Sequence, residues 1–239
     1  MNILILGHKG MLGHMVKLFL EKKGEVITTT DFKFSSNEFK DFVSSYKGDY
    51  IINCIGAIPQ KTKTFDINYE LPIWLDKNSQ CNVIHPGTDC EMDEDDYGVS
   101  KKRASNFLKT EGQKTKILKS SIIGPELNSK FSLMDWFLNS NGTVFGYSEA
   151  MWNGNTTLEW AKNCYDLLIN WNNYEKETIL EGECLSKYDL LKRIKSVFLK
   201  DISILAKDEV KCNKCLRGEI KTKSILDQLE ELKLEYYNK

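Results

Sequence analysis

The sequence predicts a doubly wound α/β fold: a parallel sheet with helices on both faces, followed by a small C-terminal lobe. Three observations predict it. Residues 2–6 (Asn-Ile-Leu-Ile-Leu) form a short apolar run that stops at Gly7, as a strand buried on both faces does. A glycine-spaced loop then leads directly into residues 11–22, whose apolar positions recur at helical spacing. Beyond these, apolar runs alternate with helical patterns as far as Pro125, the pattern of β-α-β units.

Each element follows in turn. Residues 25–30 (Glu-Val-Ile-Thr-Thr-Thr) read as the second strand, closing a β-α-β unit whose crossover is right-handed. Asp49–Cys54 reads as a third buried strand, with a turn over Gly56–Pro59. Phe65–Ser79 reads as a helix that contains Pro72 or breaks at it. Cys81–His85 is a further strand, Tyr97–Thr110 a helix with Ala104, Phe107 and Leu108 on one side, and Lys116–Ile123 a strand ending at Gly124-Pro125. After Pro125 the texture changes. Trp136, Trp152, Trp160 and Trp171 fall in an Asn-rich stretch, and Leu158–Trp171, Tyr188–Phe198 and Ser224–Tyr237 read as helices. The expected division is a dinucleotide-binding domain over 1–125 and a smaller substrate-binding lobe over 126–239, partly interleaved with it.

Composition excludes several classes. The formal net charge of -1 gives no basic excess for nucleic acid or an anionic membrane. No apolar run approaches the roughly 20 residues of a membrane span. The apolar start runs straight into glycine and reads as a strand rather than a secretory signal, so the expected location is the cytoplasm. Seven scattered cysteines, an odd number, read as reduced thiols. Cys212 and Cys215 form a lone CxxC with no second pair for zinc, and His8, His14 and His85 are too dispersed for a metal triad, so no metal site is expected. Only three arginines are present (Arg103, Arg193, Arg217), which singles each out, because guanidinium is the better phosphate clamp.

The loop Gly7-His8-Lys9-Gly10-Met11-Leu12-Gly13 has GxxGxxG spacing between a strand and a helix. Glycines there permit a tight turn and bring backbone N–H groups to a pyrophosphate, while the helix N-terminus adds a favourable dipole. This is the context a Rossmann-type dinucleotide site requires. Asp31, 18 residues past Gly13, is placed to accept a ribose hydroxyl and favour NAD; Lys33 could instead hold a 2′-phosphate.

Tyr97-Gly98-Val99-Ser100-Lys101 is a YxxxK motif near a helix start, and its i, i+4 spacing puts phenol and ammonium on one face. A nearby ammonium lowers a phenol pKa, and such a tyrosine can exchange a proton with a carbonyl oxygen. Thr88-Asp89 follow the predicted strand Cys81–His85, where loops line the ligand crevice of a doubly wound sheet. The Thr88 hydroxyl could there bond a substrate carbonyl.

Taken with Asn53–Gly56, Asn68-Tyr69-Glu70-Leu71-Pro72, Gly87-Thr88-Asp89, Ser121–Gly124 and the Trp152–Leu158 run, these motifs make the chain resemble the extended short-chain dehydrogenases. It is most similar to their dTDP-4-dehydrorhamnose reductase-like branch, which reduces sugar-nucleotide 4-ketones. The resemblance covers most of the chain and is firmest over residues 1–125. It implies that Thr88, Tyr97 and Lys101 are catalytic. It also implies that Gly7, Lys9, Gly10, Met11, Leu12, Gly13, Asp31, Lys33, Cys54, Ile55, Gly56, Tyr97 and Lys101 bind NADP(H) or NAD(H). Thr88, Asp89, Trp152 and Arg217 are the candidate contacts to a nucleotide-sugar substrate, with buried core the heavier reading for Trp152 and a plain surface arginine the alternative for Arg217. Asn68 matches a helix asparagine of structural or proton-relay role, with structure the heavier reading. The implied activity is NAD(P)H-dependent reduction of a nucleotide-linked 4-keto-6-deoxy sugar for cell-surface polysaccharide or glycan precursors. An epimerase or dehydratase, and a cofactor-binding regulatory subunit, are the alternatives, and a homodimer is among the assemblies expected. Two departures stand out. Only Cys90–Asp96 separate Asp89 from Tyr97, a shortened and acidic loop read as solvated, which could open the substrate pocket. Position 119 is Lys where the branch leads one to expect Arg.

Overall fold

The five apolar runs read as strands before residue 120 pair side by side, all parallel, in the computed structural model, which describes residues 1–237. They are β1 (Asn2–Leu6), β2 (Val26–Thr29), β3 (Tyr50–Asn53), β4 (Asn82–Gly87) and β5 (Thr115–Lys119). Strand β1 lies between β2 and β3, in register Ile3 to Ile27 and Ile3 to Tyr50. The chain therefore reverses its direction of travel across the sheet after β2. Right-handed crossovers then put α1 (Met11–Lys22) on one face and α2 (Asn37–Ser45), α3 (Ile67–Asn78) and α4 (Asp96–Thr110) on the other. Leu4, Leu6, Ile51 and Val83 pack with Phe39 and Val43 of α2 and Leu71 and Leu75 of α3, all essentially inaccessible to solvent. Each such side chain contributes about 1.5–3 kcal/mol of burial.

The chain forms two compact units: Met1–Lys119 with Ala161–Thr178, and Ser120–Trp160 with Ile179–Lys239. The sequence division at 125 thus differs from the observed one at 119/120, and 161–178 returns to the first unit. The predicted strand 116–123 is two strands, β5 and β6 (Ile122–Ile123). The second unit further holds β7 (Thr143–Tyr147), β8 (Ala150–Trp152), β9 (Asn155–Thr156), β11 (Leu185–Ser186), β12 (Ser203–Lys207), β13 (Cys212–Asn213) and β14 (Ile220–Lys221). Its helices are α5 (Leu133–Asn139), α7 (Lys187–Phe198) and α8 (Ile225–Leu232), the last passing into a π-turn over Lys233–Tyr237. α6 (Thr157–Ile169) and β10 (Glu177–Glu181) are the two elements in which the chain passes between units. The sheet order is β14-β10-β5-β4-β3-β1-β2.

The amide-rich run after Trp152 is the polar core of the second unit. The Asn155 Oδ1 accepts from Thr222 at 2.6 Å and from Gln228 at 2.8 Å, and the Asn155 amide donates to Ser120. The reduced-thiol expectation fails at one pair: Cys184 and Cys215 form a disulfide with Cα atoms 5.8 Å apart. The fold brings together two cysteines 31 residues apart, which spacing alone does not reveal. Closing a loop of that length is worth about 3–4 kcal/mol by chain entropy. The lone CxxC is thus half of a longer-range bridge, and Cys212 remains a free thiol.

In the first unit, Asp76 ties α3 to the start of β5. Its carboxylate accepts from the N–H groups of Gln113, Lys114 and Thr115 at 2.9–3.2 Å. Burial pushes its pKa up, but these N–H groups outweigh that and hold it below the usual value. A depressed folded pKa contributes stability above the unfolded pKa and loses it as pH falls through the folded one. Asp76→Asn is expected to cost about 2–3 kcal/mol at neutral pH. In urea melts the gap from wild type should narrow below about pH 4. A constant gap would remove the carboxylate from the pH dependence.

Candidate active site

Four strand ends of the first unit carry the residues singled out in the sequence. Gly7 follows β1, Asp31 lies just past β2, Cys54–Gly56 follow β3, and Thr88 follows β4. Because β1 separates β2 from β3, the glycine loop stands at the point where the order of connection reverses, where open α/β sheets place ligands.

The loop is built for close backbone approach. Gly7 has φ +77°, the left-handed region that favours glycine. A Cβ on Gly13 would lie 2.2 Å from the Gly7 carbonyl oxygen, so helix and turn touch only because Gly13 has no side chain. α1 is capped by Gly10, which supplies no side-chain acceptor. The first-turn N–H groups of Met11, Leu12 and Gly13 keep the anion-binding character of an open helix N-terminus. Lys9 of the same loop reaches across to Asp31, with both carboxylate oxygens 2.7 Å from Nζ, and this hydrogen bond holds the Asp31 pKa down. The acidic residue expected at the ribose is therefore ionised and already tethered to the loop. Lys33 is exposed.

Segment 54–57 is held from two sides. Asn53 Oδ1 accepts the Ile55 N–H at 3.1 Å, while Asn53 Nδ2 donates to His85 Nδ1 at 3.2 Å. Asn68 on α3 accepts the Ala57 N–H at 2.7 Å and donates to the Ala57 carbonyl at 3.0 Å and to Ser100 Oγ at 3.3 Å. Asn68 is thus a structural clamp whose second arm reaches the residue just before Lys101. The His85–Asn53 pairing has no local signal in the sequence, where His85 reads only as a strand end.

After β4 the chain makes a single 3-10 turn over Asp89–Met92, capped by Thr88. The Thr88 hydroxyl donates to Asp89 Oδ1 at 3.0 Å and accepts from the Cys90 N–H at 3.2 Å. Asp89 is buried and also faces the Cys90 thiol at 3.7 Å, so it supports the turn rather than presenting a carboxylate to a substrate. Reading the acidic run as solvated is corrected at Glu91. This side chain is 5% exposed and accepts from the Thr88 N–H, from Ser105 and from Lys119. Lys119, noted as an unusual residue, is its partner in a largely buried ion pair at 2.7 Å. The short loop fits because Asp95 caps α4 through the Gly98 N–H and because Gly98 has no Cβ, which would stand 2.4 Å from the Cys90 carbonyl.

Tyr97 and Lys101 then rise from the first turns of α4 beside this 3-10 turn. The Tyr97 ring meets Phe65 edge-on at 5.7 Å. Burial pushes its phenol pKa up, and Cys90, Asp89, Asp95 and Glu91 push it further. That reverses the expectation of a phenol lowered by its ammonium neighbour: burial is the largest cause, and the groups around the ring act in the same direction. Lys101 is 7% exposed and donates from Nζ to the Pro86 carbonyl at 3.2 Å. Burial lowers its pKa, opposed by Glu91 and Cys90. Cys90 acts on both groups, so phenol, ammonium and the Thr88 turn share one neighbourhood. A half-buried phenol and a buried ammonium with displaced pKa values follow a strand that ends on the same sheet edge as the glycine loop, the kind of grouping that marks a candidate site.

In the second unit the expected substrate contacts divide. Trp152 is 5% exposed, its indole N–H donates to Ser121 Oγ at 2.7 Å, and Gly154 packs against its ring. It is core, not a stacking platform. Arg217 is exposed, on a segment fixed by the disulfide, by two hydrogen bonds between Asn153 and the Leu216 backbone, and by the Gly218 N–H on Glu181. A cavity of about 600 Å³ that sequence reading missed is lined by Trp136, Phe145, Tyr147, Lys187 and Lys207, among others. Lys207 stands 4.4 Å from the centre of the Phe145 ring. The exposed Phe145 and Tyr147 alternate with buried residues along β7, a period-two signal that could have marked this strand.

No protein-family model matches the sequence, and no curated protein matches it. The fold is similar to that of several solved structures. One is a dTDP-4-dehydrorhamnose reductase from Bacillus anthracis in complex with NADP, with a TM-score of 0.80 at 15% identity over 98% of this chain and 99% of that one. Another is a dTDP-4-dehydrorhamnose reductase of Clostridium acetobutylicum, with a TM-score of 0.73 at 17% identity over 100% of both chains. UDP-glucose 4-epimerase of Thermotoga maritima, solved with UDP-glucose, gives 0.70 at 16% over 100% and 99%. At these identities the likeness is one of fold.

Proposed function

We propose that the protein is an NAD(P)H-dependent reductase of a nucleotide-linked 4-keto-6-deoxy sugar, supplying precursors for a cell-surface polysaccharide or glycan. The observation that carries the reading is the grouping of Tyr97 and Lys101 around the Thr88–Glu91 turn, on the same sheet edge as the glycine cradle. The cradle fits a dinucleotide: the space that a Cβ on Gly13 would fill is closed to side chains, and the open first turn of α1 suits a pyrophosphate. Gly7–Gly13 would hold the pyrophosphate, Asp31 or Lys33 the adenosine ribose, Cys54–Gly56 the edge of the nucleotide, and Lys101 the nicotinamide ribose. When bound, the coenzyme supplies a hydride.

The chain's own residues do the rest. Tyr97, kept protonated by burial and by the nearby carboxylates, donates a proton to the carbonyl oxygen as it gains charge. Lys101 offers an ammonium that stabilises the phenolate left behind. Thr88 spends its hydroxyl proton on Asp89, so it orients a substrate only by exchanging that partner. The aromatic and lysine-lined cavity of the second unit has the chemistry for a base and a phosphate, and the exposed Arg217 for a diphosphate. The dehydratase alternative needs an extra free acid or base; Asp89 is buried in its own turn and Cys90 follows it, which favours the reductase.

Supplying a dTDP-4-keto-6-deoxy sugar with NADH or NADPH should give coenzyme oxidation dependent on the sugar nucleotide. Coenzyme that stays tightly bound through purification, with no net oxidation, would instead select the epimerase or dehydratase reading.

A further inference from the structure

His85 lies on central strand β4, 1% exposed, on the same face of the sheet as Val83 and its apolar cluster. Burial and the neighbouring Lys101 ammonium drive its pKa well down, so the ring is neutral. Its Nδ1 faces the Asn53 amide at 3.2 Å, and that amide's own oxygen is taken by the Ile55 N–H, so Asn53 must donate and His85 must accept. The proton of the ring therefore sits on Nε2, which has no hydrogen-bond partner among the described residues. Such a ring is a costly choice for a strand interior that aliphatic side chains would otherwise fill. Its one visible bond fixes which way Asn53 points.

We propose that His85 is a positioning residue for coenzyme binding: by accepting the Asn53 amide it holds the Asn53 carbonyl on Ile55 and so sets the backbone of segment 54–56. The inference rests on the function proposed above, in which that segment borders the coenzyme. Without the acceptor, the buried Asn53 NH₂ has lost its partner, and the side chain is drawn to another rotamer that satisfies it, which releases the Ile55 N–H. The segment then moves away from the glycine cradle, which it meets within 2.9 Å of where a Gly7 Cβ would stand. The effect should fall on coenzyme affinity rather than on proton transfer, because Tyr97 and Lys101 are carried by α4.

Two variants and one spectrum test it. His85→Leu keeps the size and removes the acceptor; His85→Asn puts an oxygen where Nδ1 stands. NADH and NADPH affinities of the full chain, read by tryptophan fluorescence, should weaken about tenfold in the leucine variant and recover to within about threefold in the asparagine variant. Coenzyme KM should rise with little change in kcat. A leucine variant that binds as wild type does, or an asparagine variant that loses as much as leucine, overturns the inference alone. A wild-type chain that binds neither coenzyme overturns both the inference and the function it rests on. Imidazole nitrogen NMR of the wild type needs no variant to fold. With only three histidines to assign, His85 should show an unprotonated Nδ1 and a protonated Nε2, and the reverse tautomer overturns the proposal.

Discussion

Tyr97→Phe should lose about 10²–10⁴ of kcat, the usual share of a positioned general acid, while leaving coenzyme affinity and the thermal midpoint close to wild type. The substitution removes one oxygen. The ring keeps its edge contact with Phe65, α4 keeps its cap at Asp95 and the 3-10 turn keeps its cap at Thr88, and none of these uses the hydroxyl. The pH profile sharpens the test. Burial and the Cys90, Asp89, Asp95 and Glu91 groups raise the phenol above its ordinary pKa, so the proton-donating form persists throughout the neutral range and beyond the usual tyrosine value of about 10. Reduction should therefore show no fall through weakly alkaline pH on account of Tyr97, and oxidation in reverse should be weak until the phenol ionises. Steady-state rates with a sugar-nucleotide ketone at several pH values measure both. A phenylalanine variant with full turnover takes Tyr97 out of the chemistry.

The first unit was legible because its signals are short-range. A buried parallel strand announces itself by four consecutive apolar residues, Ile3–Leu6, and GxxGxxG by position between strand and helix, so β1, the glycine loop, α1 and the YxxxK helix were placed to within a residue or two. α2 was missed because its two buried residues, Phe39 and Val43, are too few for a visible period. The site residues were less legible than the fold. Thr88 and Asp89 lie where expected, yet the structure spends them on each other and on the Cys90 N–H, a choice fixed by the length of the following loop. Glu91 was lost in a run of acids because only tertiary packing, against Ser105 and Lys119, distinguishes it from its exposed neighbours. Trp152 illustrates the same limit from the apolar side: a tryptophan beside Asn-Gly reads as core or as a ligand platform, and only the glycine against its ring and the indole bond to Ser121 decide for core. The Cys184–Cys215 pairing belongs to this class, since nothing local to either cysteine names the other.

Gly13→Ala should be the most damaging single methyl in the chain. The added carbon would sit 2.2 Å from the Gly7 carbonyl oxygen, 2.8 Å from the Gly7 carbonyl carbon and 3.1 Å from the His8 Cα, all backbone, so no side chain can swing aside. Relief requires α1 to withdraw from the turn or the turn to open. The turn cannot open freely, because Gly7 is itself packed on Cys54 and Ile55 and its carbonyl accepts the Gly10 N–H at 2.9 Å. Withdrawal of α1 strips Met15, Val16 and Leu20 from the core they fill. Overpacking of this kind costs about 3 kcal/mol or more. For a chain of this size that is about 6–12 °C in Tm. Nucleotide binding should suffer further, since the same withdrawal moves the open N–H groups of the first helical turn away from the pyrophosphate position. Calorimetry of the free protein and a coenzyme titration separate the two losses. Added NADH or NADPH should stabilise wild type by mass action and the alanine variant far less. At Gly24, where a Cβ would meet nothing within 4 Å but φ is +82°, alanine should cost about 1 kcal/mol of backbone strain and leave coenzyme affinity intact. Equal effects at the two glycines would mean that the loop is a tight turn and not a nucleotide cradle.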